Sequence, residues 1–214
     1  SRFLAEPGPV TTDRLTRQVR NRNYLWDGAA TSMTNFALYN WSPTAVPLNI
    51  ALVQSAALEI HPWGSTLDDW ERPDMITMDL DPGEGVEWQR VIDAAQEVRQ
   101  RLTDAGLAAF VKTSGGKGLH VVAPLKPHAG WPEVKAFTKA MAEAMAADSP
   151  DLYVATIAKA KRKGRILIDY LRNQRGATAV SAWCPRARPG AAVSTPLGWE
   201  ELGPEIGPAH FTIQ

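Results

Sequence analysis

Met75-Ile76-Thr77-Met78-Asp79-Leu80-Asp81-Pro82-Gly83 reads as one strand that ends in a turn. Successive side chains of a strand point to opposite faces. Ile76, Met78 and Leu80 therefore share an apolar face, and Thr77, Asp79 and Asp81 share the other. Two carboxylates held this close repel each other. A hard divalent cation with oxygen ligands relieves that repulsion. A plain pair of solvated aspartates entering the Pro82-Gly83 turn fits the same letters, so the strand alone leaves both readings open.

Working outward, the clearest helix is Glu87 to Ala105, where Trp88, Val91, Ile92, Ala95, Val98 and Leu102 form one stripe and Gly106 stops the helix. Ala108 to Thr113 and Leu119 to Pro124 read as strands joined by the turn Ser114-Gly115-Gly116-Lys117-Gly118, which predicts a hairpin. Pro132 to Ala147 reads as a second helix, and Ile166 to Tyr170 as a further strand after the basic stretch Lys159, Lys161, Arg162, Lys163 and Arg165. Short strands are expected at Thr178–Ala182, Ala191–Val193 and His210–Ile213, and a helical turn at Trp199–Leu202. Upstream, Ile50, Val53, Ala57 and Ile60 recur at helical spacing behind Asn49, predicting a helix that ends at His61-Pro62-Trp63-Gly64. Thr12 to Arg22 reads as a short helix carrying Arg14, Arg17, Arg20 and Arg22, and Asn23 to Pro47 shows no sustained period. The order of elements predicts an α+β fold, with helices flanking a largely antiparallel central sheet. It also divides the chain into an N-terminal segment without a sustained pattern, residues 1–48, packing on a core, residues 49–214.

The 214 residues are 44% hydrophobic and 21% charged, as in an ordinary globular core, and the formal net charge of zero argues against coating nucleic acid by bulk charge. A single cysteine, Cys184, excludes an intrachain disulfide and a cysteine-rich zinc site. No apolar run approaches the roughly 18 residues of a membrane span, and the first residues lack a signal-peptide layout.

A third acid, Asp169, closes the strand Ile166-Leu167-Ile168 on the face opposite Ile166 and Ile168. If it met Asp79 and Asp81, the three could hold two divalent ions, the arrangement used for phosphoryl and nucleotidyl transfer. Ser114-Gly115-Gly116-Lys117-Gly118-Leu119-His120 is not a Walker A loop, because Gly118 follows Lys117 and a strand follows the turn. A hairpin turn needs glycine for its dihedrals but does not need Ser114, Lys117 and His120 together; those three could serve a bound phosphate. Arg172 follows Asp169 by three residues, and Arg186 and Arg188 share a face if extended. Guanidinium groups bind phosphate as a fork. His61, at the predicted helix end, fits a structural role or a ligand contact.

Six blocks occur in order: Leu58-Glu59-Ile60-His61-Pro62-Trp63, Met78-Asp79-Leu80-Asp81-Pro82, Lys112-Thr113-Ser114-Gly115-Gly116-Lys117-Gly118-Leu119-His120, Ile168-Asp169-Tyr170-Leu171-Arg172-Asn173, Pro185-Arg186-Ala187-Arg188-Pro189-Gly190 and Val193-Ser194-Thr195-Pro196-Leu197. Together they resemble the polymerase domain of bacterial ATP-dependent DNA ligase D and its primase-polymerase relatives, of the archaeo-eukaryotic primase superfamily. The resemblance implies a primase-like, RRM-related catalytic core. It implies Asp79, Asp81 and Asp169 as catalytic metal ligands for two divalent cations, Mn²⁺ or Mg²⁺. Ser114, Lys117, His120, Arg172, Arg186 and Arg188 would face the triphosphate, and His61 the sugar near its 2′-hydroxyl. The implied activity is template-directed addition of nucleotides, ribonucleotides preferred, to DNA 3′ ends or gaps in end joining. The implied partners are DNA ends, NTP or dNTP, a DNA ligase domain and Ku, without a membrane, in a bacterial cytoplasm at the nucleoid. Residues 1–48 lack the paired phenylalanines and template-facing lysines that family members carry there; Phe36, Tyr39 and Trp41 are candidate stacking residues that map onto no family position, which makes residues 1–48 a divergent segment. Two rivals stand beside this reading. One is a non-catalytic module that binds DNA ends or nucleotides and recruits a ligase. The other is a sugar-nucleotide transferase, which leaves Asp169 and the arginine pair unexplained.

Overall fold

The computed structural model describes residues 57–66 and 69–213. The expected helix at Thr12–Arg22, the segment 1–48 as a whole and the aromatic residues within it lie outside these. The first element is strand β1, Met75–Pro82. Ile76, Met78 and Leu80 are fully buried on one face, as their alternation requires. Helix α1, Trp88–Asp104, follows and lays Val91, Ala94, Ala95, Val98 and Leu102 on that face. It ends at Gly106, whose φ of +79° lets the chain reverse while Leu107 N–H bonds back to Leu102 O at 2.9 Å.

Strands β2, Phe110–Thr113, and β3, Leu119–Pro124, form the expected hairpin. Helix α2, Trp131–Asp148, opens with Pro132 in its first turn, and Glu133 Oε2 accepts from Gly130 N–H at 2.9 Å. Strands β4, Tyr153–Val154, and β5, Ile166–Asp169, are short. Beyond them lie β6, Cys184–Pro185, β7, Val193–Ser194, and β8, Pro196–Leu197. Six strands make one sheet in the order β4-β5-β1-β3-β2-β8, antiparallel except for the β4–β5 pair; β6 and β7 form a separate ribbon. Both helices contribute to the single large core on one face of the sheet. The opposite face carries Thr77, Asp79, Lys112 and His120 and is left for the site.

β5 is shorter than its neighbour, and one side chain completes the pairing. Thr77 N–H donates to Asn173 Oδ1 at 2.7 Å, and Asn173 Nδ2 donates to Thr77 O at 2.8 Å. An amide carries one acceptor and two donors, so the buried Asn173 replaces a missing strand residue beside β1. Among the described residues no helix is long and apolar enough to cross a membrane.

Three expectations need correction. Residues 57–60, the described end of the expected helix at Leu48–Ile60, are not helical. Their backbone groups are used across the chain instead: Ile60 N–H donates to Cys184 Sγ at 3.1 Å, and Ser181 N–H donates to Ile60 O at 2.8 Å. Thr178–Ala182 is not a strand of either sheet; it lies along residues 60–62 with bonds at Ala179 and Ser181 only. At the C-terminal end, His210–Ile213 reduces to a single bridge between Ala192 and Thr212.

Candidate active site

The pairing of β1 with β5 places Asp79 directly opposite Asp169. Pairing with β3 places His120 on the other side of Asp79, and Lys112 lies one strand further, opposite His120. A row of four titratable side chains thus crosses the sheet on the face away from the helices. Asp81, two residues on, stands at the end of β1. The β2–β3 turn closes against this end. A Cβ on Gly118 would stand 1.8 Å from Leu80 O, so the turn can approach β1 only because residue 118 is glycine.

An open cleft of about 320 Å³ lies over the row. His61, Asp79, Asp81, Ser114, Lys117, His120, Arg172, Arg186 and Arg188 all line it. Asp169 does not line the cleft itself. It lies behind Arg172, whose Nε is 3.6 Å from Asp169 Oδ2 and whose Nη2 is 3.1 Å from Asp79 Oδ2. The far wall is the irregular run Thr178-Ala179-Val180. Arg172 Nη1 donates to Thr178 O at 3.3 Å, and Lys112 Nζ donates to Val180 O at 2.9 Å.

The electrostatics of the row follow from burial and neighbours. Burial alone would raise the Asp79 carboxyl, but His120 and Arg172 hold it well below the usual carboxylate range. Asp169, facing it, goes the other way: burial pushes its carboxyl up, and the charges of Asp79 and Asp81 add to the rise against Leu171 N–H and Arg172. His120 Nε2 is 3.4 Å from Asp79 Oδ1. Burial and the neighbouring Lys112 nevertheless bring its pKa down to about 4, so the ring is neutral at neutral pH. Lys112, fully enclosed, is brought down by burial to about 7. Its ammonium also donates to Ser194 Oγ at 2.8 Å, and Ser194 Oγ donates to Thr113 O at 2.8 Å.

In the glycine-rich turn two backbone amides are used within the turn itself. Gly116 and Gly118 N–H both donate to Ser114 Oγ at 3.2 Å, so these amides point inward. The Ser114 hydroxyl accepts twice and keeps its own proton for a ligand. Arg186 Nη1 donates to Ser114 O at 2.7 Å and ties the Arg186–Arg188 loop to this turn.

Among the described residues no three His, Cys, Asp or Glu side chains converge closely enough to hold an ion as they stand. Arg162 pairs with Asp81, while Arg172 is shared by Asp79 and Asp169. The donor set nonetheless suits divalent cations: hard carboxylate oxygens, two of them in direct register, with Asp169 raised by burial and by the charges of Asp79 and Asp81. Both arginines would have to leave these carboxylates for an ion to take their place.

Four residues that the sequence reading did not single out belong to the site. Glu59 accepts from His61 and faces Arg186. Lys112 underlies the row, Arg162 faces Asp81, and Asn173 fixes the end of β5. A lysine inside the apolar run Phe110–Thr113, in register with Ser114, was a signal for Lys112. Glu59 and His61 are two apart, hence on one face only if extended, and helical periodicity conceals that relation.

Comparison with known proteins agrees with this geometry. The LigD primase-polymerase domain matches residues 37–214. A multifunctional non-homologous end joining protein LigD of Pseudomonas aeruginosa is 43% identical over 165 residues, 77% of this chain and 20% of that protein. A bifunctional non-homologous end joining protein LigD of Bacillus subtilis is 31% identical over 163 residues, 76% of this chain and 26% of that protein. The chain therefore spans only a fifth to a quarter of the curated relatives it matches. The polymerase domain of Mycobacterium tuberculosis ligase D, solved in complex with DNA, superposes with a TM-score of 0.71 at 28% identity, covering 93% of this chain and 67% of that one. By the extent of the family match and the shared fold, the chain belongs to the LigD primase-polymerase domain family.

Proposed function

We propose that this chain is a template-directed nucleotidyltransferase that adds nucleotides, ribonucleotides preferentially, to DNA 3′ ends or gaps during end joining. The observation that carries the reading is the register of Asp79 with Asp169 beneath a cleft lined by Ser114, Lys117, Arg186 and Arg188. Acidic groups on the floor and basic groups on one rim suit a bound triphosphate whose reacting end lies over the acids. Asp79, Asp81 and Asp169 would hold two divalent cations, Mn²⁺ or Mg²⁺, which there lower the pKa of an attacking hydroxyl and neutralise phosphate charge.

The remaining steps belong to the chain's own residues. Ser114 donates its hydroxyl proton to a phosphate oxygen, and Lys117 adds a mobile positive charge. Arg186 and Arg188 fork onto the outer phosphates and stabilise charge on the departing pyrophosphate. His120, neutral and buried beside Asp79, orients that carboxylate and, with Arg172, faces the phosphates from the cleft. His61 meets the sugar. DNA ends supply the primer hydroxyl, and a ligase domain and Ku are the proposed partners in repair, in a bacterial cytoplasm.

A second reading, a non-catalytic module that binds DNA ends or nucleotides, is favoured by the guanidinium groups already neutralising Asp79 and Asp81. Primer extension on a recessed DNA end, with rNTPs against dNTPs and Mn²⁺ against Mg²⁺, separates the two. Extension by wild type and none by Asp169→Ala supports the polymerase. End binding without extension under every condition supports the module.

A further inference from the structure

His61 and Arg186 come from distant parts of the chain, yet both are tied to one carboxylate. Glu59 Oε2 is 2.7 Å from His61 Nε2 and 3.1 Å from Arg186 Nε. Its other oxygen, Oε1, accepts from Ala187 N–H at 2.6 Å. Arg186 in turn donates to Ser114 O. A carboxylate can only accept. The hydrogen on His61 Nε2 is therefore fixed toward Glu59, and the ring atom left for a ligand is Nδ1. Burial holds His61 below its ordinary pKa, with the positive charges of Arg186 and Lys112 opposing the pull of Glu59, so Nδ1 is a lone-pair acceptor at neutral pH. Such an acceptor suits a group that can donate, as a sugar hydroxyl does and a methylene does not.

We infer that Glu59 is a positioning residue that sets the hydrogen-bonding character of His61 toward a sugar hydroxyl and, through the same carboxylate, orients Arg186 toward the triphosphate. Recognition of the sugar and of the phosphates is thereby coupled through one side chain. The inference rests on the nucleotide-binding reading of the cleft but not on catalysis. In Glu59→Gln, Ala187 N–H still requires an acceptor, so the amide oxygen stays there and the amide NH₂ faces His61. That NH₂ can only donate, which transfers the ring proton to Nδ1 and crowds Arg186.

The test is equilibrium binding of ATP and dATP to the full chain with Mn²⁺, by calorimetry, for wild type, Glu59→Gln, His61→Ala and the double variant, with primer extension run on the same preparations. Wild type is expected to favour ATP. Glu59→Gln is expected to weaken both nucleotides through Arg186 and to cut the ATP-over-dATP ratio a further fivefold to tenfold, roughly one hydrogen bond. In the His61→Ala background, Glu59→Gln should leave the ratio unchanged, a non-additivity that a merely structural role would not produce. Glu59→Asp, which keeps the charge but draws it back, should give an intermediate ratio and serves if Glu59→Gln fails to fold. An unchanged ratio in both Glu59 variants, or additive losses in the cycle, overturns the inference. Ratios that behave as expected without any primer extension uphold the inference and overturn the polymerase reading. No binding of either nucleotide by wild type overturns both.

Discussion

The two walls of the cleft are built on different principles. The floor, β1 with β3 and β5, is held by continuous backbone ladders, and its chemical groups simply project from them. The opposite wall, residues 59–63 with 178–188, combines scattered backbone bonds with single side chains reaching backbone groups: Cys184 to Ile60, Glu59 to Ala187, Lys112 to Val180 and Arg172 to Thr178. The first arrangement is redundant, so a chemical group can be removed while the scaffold stays. In the second, one side chain is both structure and chemistry, and the two cannot be removed separately.

The largest expected effect separates these cleanly. Asp79→Ala should lower nucleotide addition by about a hundredfold or more while leaving far-UV circular dichroism unchanged. A collapse of the fold in that variant would show that the floor is not redundant. Gly118→Ala attacks a point where the floor is not redundant. Its Cβ would meet Leu80 O at 1.8 Å, and the chain must shift, at a cost of about 2 kcal/mol. Urea unfolding reads this directly, and a midpoint equal to wild type would mean that the turn is free to move.

Lys112→Met strips the irregular wall of one tie. It leaves Val180 O and Ser194 Oγ without their donor, at about 1–3 kcal/mol, but also removes a charge that is costly to bury. The pH dependence separates these effects. The folded pKa of Lys112, about 7, lies below its ordinary value, so above it the unfolded chain binds one more proton than the folded one. Wild-type stability should therefore gain a rising component from this residue between about pH 7 and pH 10, and Lys112→Met should lose that component. Urea midpoints across the window decide it; the same slope in both proteins would place the lysine outside the enclosed row. The smallest effect is expected at the rim. Arg175 forms a fork with Glu71 in the open, where water and salt screen the pair. Arg175→Ala should leave the unfolding midpoint within error.

The same contrast explains what could be read from the sequence. Period-two alternation marked β1 and β5, and the 3.6-residue stripe marked α1 and α2, because ladders and stripes repeat. The chemical residues on regular strands were legible for that reason: Asp79, Asp81 and Asp169 sit where alternation puts them. The irregular wall leaves no period. Thr178–Ala182 looked like a strand because its composition is that of one, but its partners are two carbonyls of an extended segment rather than a neighbouring strand. The same extended segment was obscured by apolar spacing at Ile50, Val53, Ala57 and Ile60, and with it the shared face of Glu59 and His61. Arg162 was visible only as part of a basic run, since its partner Asp81 is eighty-one residues away. Asn173 offered no signal, because an amide substituting for backbone can be recognised only once the length of β5 is known.

Asn173 also has a consequence for what this scaffold tolerates. It acts as a terminator: by occupying both backbone groups of Thr77, it decides where the β5 ladder stops, independently of strand propensity. The position of Asp169 is thus measured backward from a fixed end point, through a short 3₁₀ turn at Leu171–Asn173. An added or deleted residue between the two would slide the acid along β1 or rotate it to the helical face, with no slack to absorb the change. Residues 126–128, exposed and outside the strands, carry no such constraint. Length variation should collect there and be excluded from the three residues that separate the acid from its terminator.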